Sequence, residues 1–210
     1  MQKYKRVVVF DFDETLGQFS QPSTFWYHLK KFLDNDILDT KYLFSFFDIF
    51  PQYFRNDLFK ILSYIKKKRI QGYCNSVMIF TNNNSFDNWV DSITEYIHRK
   101  IKYPLFDQII KAYKVNGKQI EICRSSYSKT YDDFLNCSKL SKNTKIFFID
   151  DKEHRQMENQ NVKYFNIEPY TYNLNFNKLA TNFYDNNIEL FKNYNKTKDD
   201  FVKYINDNTD

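Results

Sequence analysis

Two carboxylates, Asp11 and Asp13, stand at the end of the apolar run Val7-Val8-Val9-Phe10. Side chains two apart in an extended segment point the same way, so both acids share one face while Phe12 turns toward a core. Carboxylates forced together need a cation, a shared proton or separate chemical roles. A strand end with solvated acids before a turn is the plainer alternative for this segment alone. The same construction recurs twice, however. Val77-Met78-Ile79-Phe80 ends at Thr81-Asn82-Asn83-Asn84-Ser85, and Ile146-Phe147-Phe148-Ile149 ends at Asp150-Asp151. Buried strands that each deliver polar groups at their carboxyl ends predict an open parallel sheet, with ligands bound beyond that edge.

The wording of the first segment, Asp-Phe-Asp-Glu-Thr-Leu over residues 11–16, resembles the Asp-x-Asp-x-Thr motif of haloacid-dehalogenase-like (HAD) phosphatases. Within them it is most similar to the branch acting on the RNA polymerase II C-terminal domain, the NLI-interacting-factor-like phosphatases. Thr81 and Asp150-Asp151 match that family's second and fourth motifs. The resemblance implies that Asp11 attacks phosphorus to form an aspartyl-phosphate and that Asp13 serves as acid and then base. It further implies that Thr81 holds a phosphate oxygen, with Thr15 and Asn82 as substrate contacts. Magnesium is expected on Asp11, the backbone carbonyl of Asp13 and Asp151, with Asp150 nearby or binding through water. A dehalogenase is expected to lack the second Asp of the pair, so phosphoryl transfer is favoured.

Nucleophile and phosphate are both anionic, which calls for a cation between them. Lys129, before the last acidic strand, stands where the third motif of the family falls, and an ammonium is a compact charge suited to that role. An ordinary exposed lysine is the alternative, with Lys114, Lys118 and Arg124 as competitors. Arg124 is also a candidate contact for a substrate phosphate.

These residues must be carried by alternating strands and helices. Asp107–Ile110 and Val162–Ile167 read as further strands. Residues 85–101 place Phe86, Trp89, Val90, Ile93, Ile97 and Ile101 on one helical stripe, with Ser85 as N-cap. Phe54, Leu58, Ile61, Leu62 and Ile65 form a second stripe over 54–69. Lys66-Lys67-Lys68-Arg69 ends that helix just before Gly72, where cations suit the helix dipole better than they argue for nucleic acid. The expectation is an α/β fold: a Rossmann-like core, mostly parallel, flanked by helices, with a short helical insertion and no full cap domain. Residues 1–210 read as one domain, with the insertion over about 19–53 and a C-terminal extension over about 171–210, whose tail from about residue 185 closes as a helix or frays.

The insertion is dense in aromatics, from Phe19 and Phe25 through Phe46 and Phe47 to Tyr53. Most of them are expected to pack as core. An insertion too small to close over the nucleophile predicts an open cleft that a macromolecule completes. The expected substrate is therefore a phosphoserine or phosphothreonine protein. Nucleic-acid ends, small metabolite phosphates, or phosphate binding without catalysis are the alternatives.

A net charge of +5 permits phosphorylated partners without demanding nucleic acid. Cys74, Cys123 and Cys137 are odd in number and lack paired metal spacing, so a reduced intracellular chain, cytoplasmic or nuclear, is expected. No stretch is apolar enough for a membrane, and a monomer is expected.

Overall fold

The computed structural model describes residues 5–85 and 88–209. They fall into two compact units, one made of the residues up to Gly17 with Arg55–Tyr170, the other of Gln18–Phe54 with the residues from Thr171 onward. Among the described residues no helix is long and apolar enough to cross a membrane.

The first unit is built on five strands, β1 Arg6–Phe10, β2 Ser76–Phe80, β3 Gln108–Ile110, β6 Lys145–Asp150 and β7 Val162–Asn166. A separate two-stranded ribbon pairs β4 Lys114–Val115 with β5 Lys118–Gln119. The sheet runs β3-β2-β1-β6-β7 and every pair is parallel. Its central strand is β1, with Val9 level with Met78 on one side and Phe148 on the other. Val7, Val9, Val77, Ile79 and Phe80 are fully buried, as expected of a parallel strand covered on both faces. One side of the sheet buries Val7, Val9, Met78, Phe80, Ile146 and Phe148 against Phe134 and Met157. From β1 the chain first adds β2 and β3 outward, then crosses to β6 on the opposite side. The order reverses between β1 and β6, and a crevice opens at such a point beyond the carboxyl ends.

The helices are α1 Ser20–Phe32, α2 Thr40–Ile49, α3 Leu58–Ile70, α4 Trp89–Ile101, α5 Tyr131–Ser138, α6 Phe176–Asn186, α7 Ile188–Asn193 and α8 Lys198–Thr209. In α4 the predicted stripe buries Trp89, Val90, Ile93, Ile97 and Ile101. Phe86 lies outside the described residues. The helix starts later than predicted, after Asn88 in a left-handed conformation. Ser85 does not cap it, because its N–H turns back to Asn83 Oδ1 at 3.0 Å. The second stripe is narrower than predicted. Leu58 and Leu62 are buried in α3, whereas Ile61 is 45% exposed and Phe54 precedes the helix. The basic cluster at its end has packing duties as well as a place on the dipole. Lys66 Nζ donates to the Ile101 carbonyl at 3.0 Å and Arg69 Nη1 to that of Leu105 at 2.6 Å, joining the ends of α3 and α4.

The sequence treats the insertion and the C-terminal extension as separate appendages; in the structure they share the second unit. Phe25 of α1 meets Phe46 of α2 at 5.1 Å and Phe183 of α6 at 5.3 Å, while Phe191 meets Phe201 at 4.7 Å. Gln21 bonds both the N–H and the carbonyl of Leu174. Most insertion aromatics are core, among them Phe19, Phe25, Phe46, Phe47 and Tyr53, and the tail beyond about residue 185 forms two helices, α7 and α8, where one was expected. Tyr27, 48% exposed, is an exception.

The cysteine expectation is overturned. Cys123 and Cys137 form a disulfide, leaving Cys74 free and buried. Fourteen residues of separation carry no metal or disulfide signature in sequence; the fold of the intervening segment brings the sulfurs together. The inference of a reducing compartment loses its support accordingly.

Candidate active site

Strand β1 ends at Phe10, but the Asp11 N–H still donates to the Ile149 carbonyl at 2.9 Å, so Asp11 stays registered on β6. The chain then folds back tightly. Leu16 N–H reaches the Phe12 carbonyl at 2.9 Å and Glu14 N–H that of Gly17 at 2.8 Å, with Glu14 in the left-handed region at φ 60°. Phe12 is fully buried, as predicted from alternation. The turn is braced by Arg55, which sequence reasoning missed. Its Nε donates to the Thr15 carbonyl at 2.7 Å, and its Nη2 to those of Glu14 and Glu168 at 2.6 Å each.

Around this turn the structure gathers most of the residues singled out from sequence. Lys129 is 2% exposed; its ammonium pairs with Asp11 and lies 2.7 Å from Asp150 Oδ2. Lys114 and Lys118 lie instead on the β4–β5 ribbon. Asp150 also bonds the Lys152 N–H through Oδ1 at 2.8 Å and has His154 Nε2 3.3 Å from Oδ2. Thr15 Oγ1 donates to Asp151 Oδ1 at 2.9 Å and accepts from the Asp151 N–H at 3.1 Å. Only 2% exposed, Thr15 braces Asp151 through these two bonds. Asn82 is exposed, and its neighbour Asn83 does the work of the segment. Asn83 Nδ2 donates to Asp13 Oδ2 at 2.7 Å, and its N–H to Thr81 Oγ1 at 2.9 Å.

Arg124, the candidate phosphate contact, is 2% exposed and bonded to backbone carbonyls. Its guanidinium donates to the carbonyls of Thr81 and Lys111 at 3.0 and 2.9 Å, and to those of Tyr127 and Ser128 at 3.2 and 3.3 Å. It also covers the Phe80 ring at 4.8 Å. The arginine thus ties the loop that presents Lys129 to the ends of β2 and β3. Neither Arg55 nor Arg124 could be assigned from sequence, because their partners are backbone carbonyls, which every residue owns. Asn83 was closer to legible, being one of three asparagines in the right loop.

The acids do not share one electrostatic state. Burial pushes Asp11 up to about 6, against the pull of Lys129, with Asp150 pushing further in the same direction. Burial also raises Asp13, partly offset by Asn83. Asp150 is held below the usual carboxylate range: burial opposes this, but His154, Lys129 and the Lys152 N–H together outweigh it. Environments that separate the proton affinities of neighbouring carboxylates are what acid–base chemistry requires.

Lys129 balances one negative charge among four carboxylates. Asp11, Asp150 and Asp151 each offer an oxygen within 4.8 Å of the others, an all-oxygen set that fits magnesium. The Asp13 carboxylate is outside this set. A second group of metal-capable residues, Glu121, Cys123 and Cys137, has its two sulfurs bonded to each other.

The fold and site together define a parallel α/β protein with an acid cluster and a buried lysine at its topological switch point. Comparison with family models, curated proteins and solved structures finds no match for this chain.

Proposed function

We propose that this chain is a magnesium-dependent phosphomonoester hydrolase of the HAD type. The observation that carries the reading is Lys129, whose ammonium sits between Asp11, directly after β1, and Asp150 at the end of β6, while Asp13 retains a raised proton affinity beside them. A carboxylate nucleophile paired with a cation and flanked by a protonatable acid suits phosphoryl transfer through a covalent intermediate. An Asp11 oxygen bonds to phosphorus as the ester P–O bond breaks, and Asp13 passes its proton to the leaving oxygen. Asp13, now ionised, takes a proton from water as that water attacks phosphorus; the bond to Asp11 breaks and inorganic phosphate departs. Lys129 and the Thr81 hydroxyl offset charge on the transferring oxygens. Magnesium held by Asp11, Asp151 and Asp150 would supply further neutralisation when bound.

A phosphorylated serine or threonine in a protein is the substrate class we favour. Beside Asn83 lies a hollow of about 290 Å³, lined by Ser85, Trp89, Lys111, Val115 and Ile120 among others. Its mixture of apolar wall and polar rim suits an amino-acid side chain next to the phosphoester.

The test is hydrolysis of p-nitrophenyl phosphate and of phosphoserine peptides by the purified full chain, with magnesium or with excess chelator. Magnesium-dependent turnover with a hydroxylamine-labile phosphate on Asp11 is expected. Full activity in chelator, or phosphate binding without any turnover, would defeat the proposal, the latter pointing to a non-catalytic phosphate-binding role. A higher kcat/KM on a metabolite phosphate than on any phosphopeptide would reject the substrate class alone.

A further inference from the structure

The Cys123–Cys137 bond encloses the segment that presents Lys129. At one end, Cys137 is buried in the core beneath the sheet as part of α5. At the other, Cys123 is partly exposed and belongs to a stretch with little regular structure, between the β4–β5 ribbon and α5. That stretch has few apolar anchors of its own, with Ile122 85% and Tyr127 58% exposed. Its noncovalent ties are mostly polar: the Arg124 guanidinium, the Ser125 N–H donating to Asp133 Oδ2 at 3.0 Å, and the Lys129 ion pairs with Asp11 and Asp150, with the Tyr127 ring edge-on to Tyr113 at 5.5 Å. The disulfide is therefore the covalent fastening of a loop otherwise held through Arg124 and Lys129.

We propose that Cys123 and Cys137 are a reversible thiol–disulfide modification site whose redox state sets how firmly Lys129 is held between Asp11 and Asp150. A dithiol reductant attacks through one thiolate at the accessible Cys123 sulfur. The protein S–S bond breaks, a mixed disulfide forms on Cys123, and Cys137 leaves as a thiolate that takes up a proton. The second thiol of the reductant then displaces Cys123, which is protonated in turn. Two electrons and two protons have passed to the protein, and the reductant has become a disulfide. An oxidising disulfide, such as that of glutathione, reverses the sequence. Glu121 Oε1 lies 3.1 Å from Cys123 Sγ, so the thiol released on reduction finds an acceptor already in place. Cys74 takes no part: it is buried beside the opposite end of β2, with Sγ 3.2 Å from the Ser76 carbonyl oxygen.

The decisive experiment compares the full-length chain oxidised with glutathione disulfide and reduced with dithiothreitol. Alkylation followed by mass spectrometry should show Cys123 and Cys137 protected only in the oxidised form. Amide hydrogen exchange should accelerate at least tenfold over residues 121–130 on reduction, with strands β1 and β6 unchanged. Hydrolysis of p-nitrophenyl phosphate should fall at least fivefold and return on reoxidation; this arm alone rests on the phosphatase reading. A Cys123→Ser/Cys137→Ser chain should behave as the reduced form under either condition, whereas Cys74→Ala should respond like the wild type. If the double variant does not fold, the wild-type comparison decides. Failure of the pair to oxidise, identical exchange in both states, or equal turnover by an active enzyme in both would overturn the proposal. Differing exchange in a chain inactive in both states would remove the phosphatase reading and leave the loop fastening intact.

Discussion

Asp11 carries an electrostatic cost at neutral pH that its replacement should reveal. Its carboxyl is raised from 3.8 to about 6 in the folded chain, so the folded state binds more protons than the unfolded state between those values. Metal-free stability should therefore fall as pH rises from about 4 to about 6, and the Asp11 contribution to that slope should vanish in Asp11→Asn. In the same variant, thermal unfolding at pH 7 without metal should shift upward, by on the order of 1–3 kcal/mol, since Lys129 keeps Asp150 as a partner. Turnover should be lost, and added magnesium should stabilise the wild type more than the variant. Lys129→Met should act in the opposite sense. Stripping the cation from two buried acids should cost about 3–5 kcal/mol at pH 7, measured by urea unfolding, and the deficit should shrink as pH falls and the acids protonate. A chain with unchanged stability would mean that the lysine is not holding the acids.

At the scale of elements, legibility follows from where the information is stored. Strands β1, β2 and β6 were readable because each joins an apolar run to a polar terminus within ten residues. The placement of Lys129 followed from its order in the chain. Its supports did not, because Arg124 and the Cys123–Cys137 link act across segments that only the fold brings together. The ribbon of β4 and β5 was overlooked although Asn116-Gly117 signals it, both residues adopting positive φ, 49° and 77°. Helix α5 shows how local chemistry serves the site. Thr130, directly after Lys129, caps it through Oγ1, which accepts from the Asp133 N–H at 3.0 Å. Thr130→Ala should destabilise the chain by about 1 kcal/mol and accelerate exchange at the start of α5. Exchange there as slow as in the wild type would show that packing alone fixes the helix.

The whole molecule is assembled from discontinuous pieces, and this was the least legible property of all. Sequence periodicity describes one element at a time, so it exposed the aromatic density of 19–53 without revealing its partners. Those include Phe183 and Phe201, more than 120 residues away in the chain. Removal of residues 171–210 should strip the insertion of this cover. We expect such a chain to bind the dye ANS strongly and to elute as aggregates in size-exclusion chromatography; a monomer without dye binding would contradict the shared core.

That shared core also sets a timetable. A ribosome releases the insertion early, with Phe25 and Phe46 already exposed, and must then add well over a hundred residues before Phe183 emerges to meet them. At about 5–20 residues per second the wait is on the order of ten seconds. For that interval Phe25 can pair only with neighbours inside the insertion, such as Phe46, and the aromatic face that Phe183 and Phe201 will cover stays open to solvent.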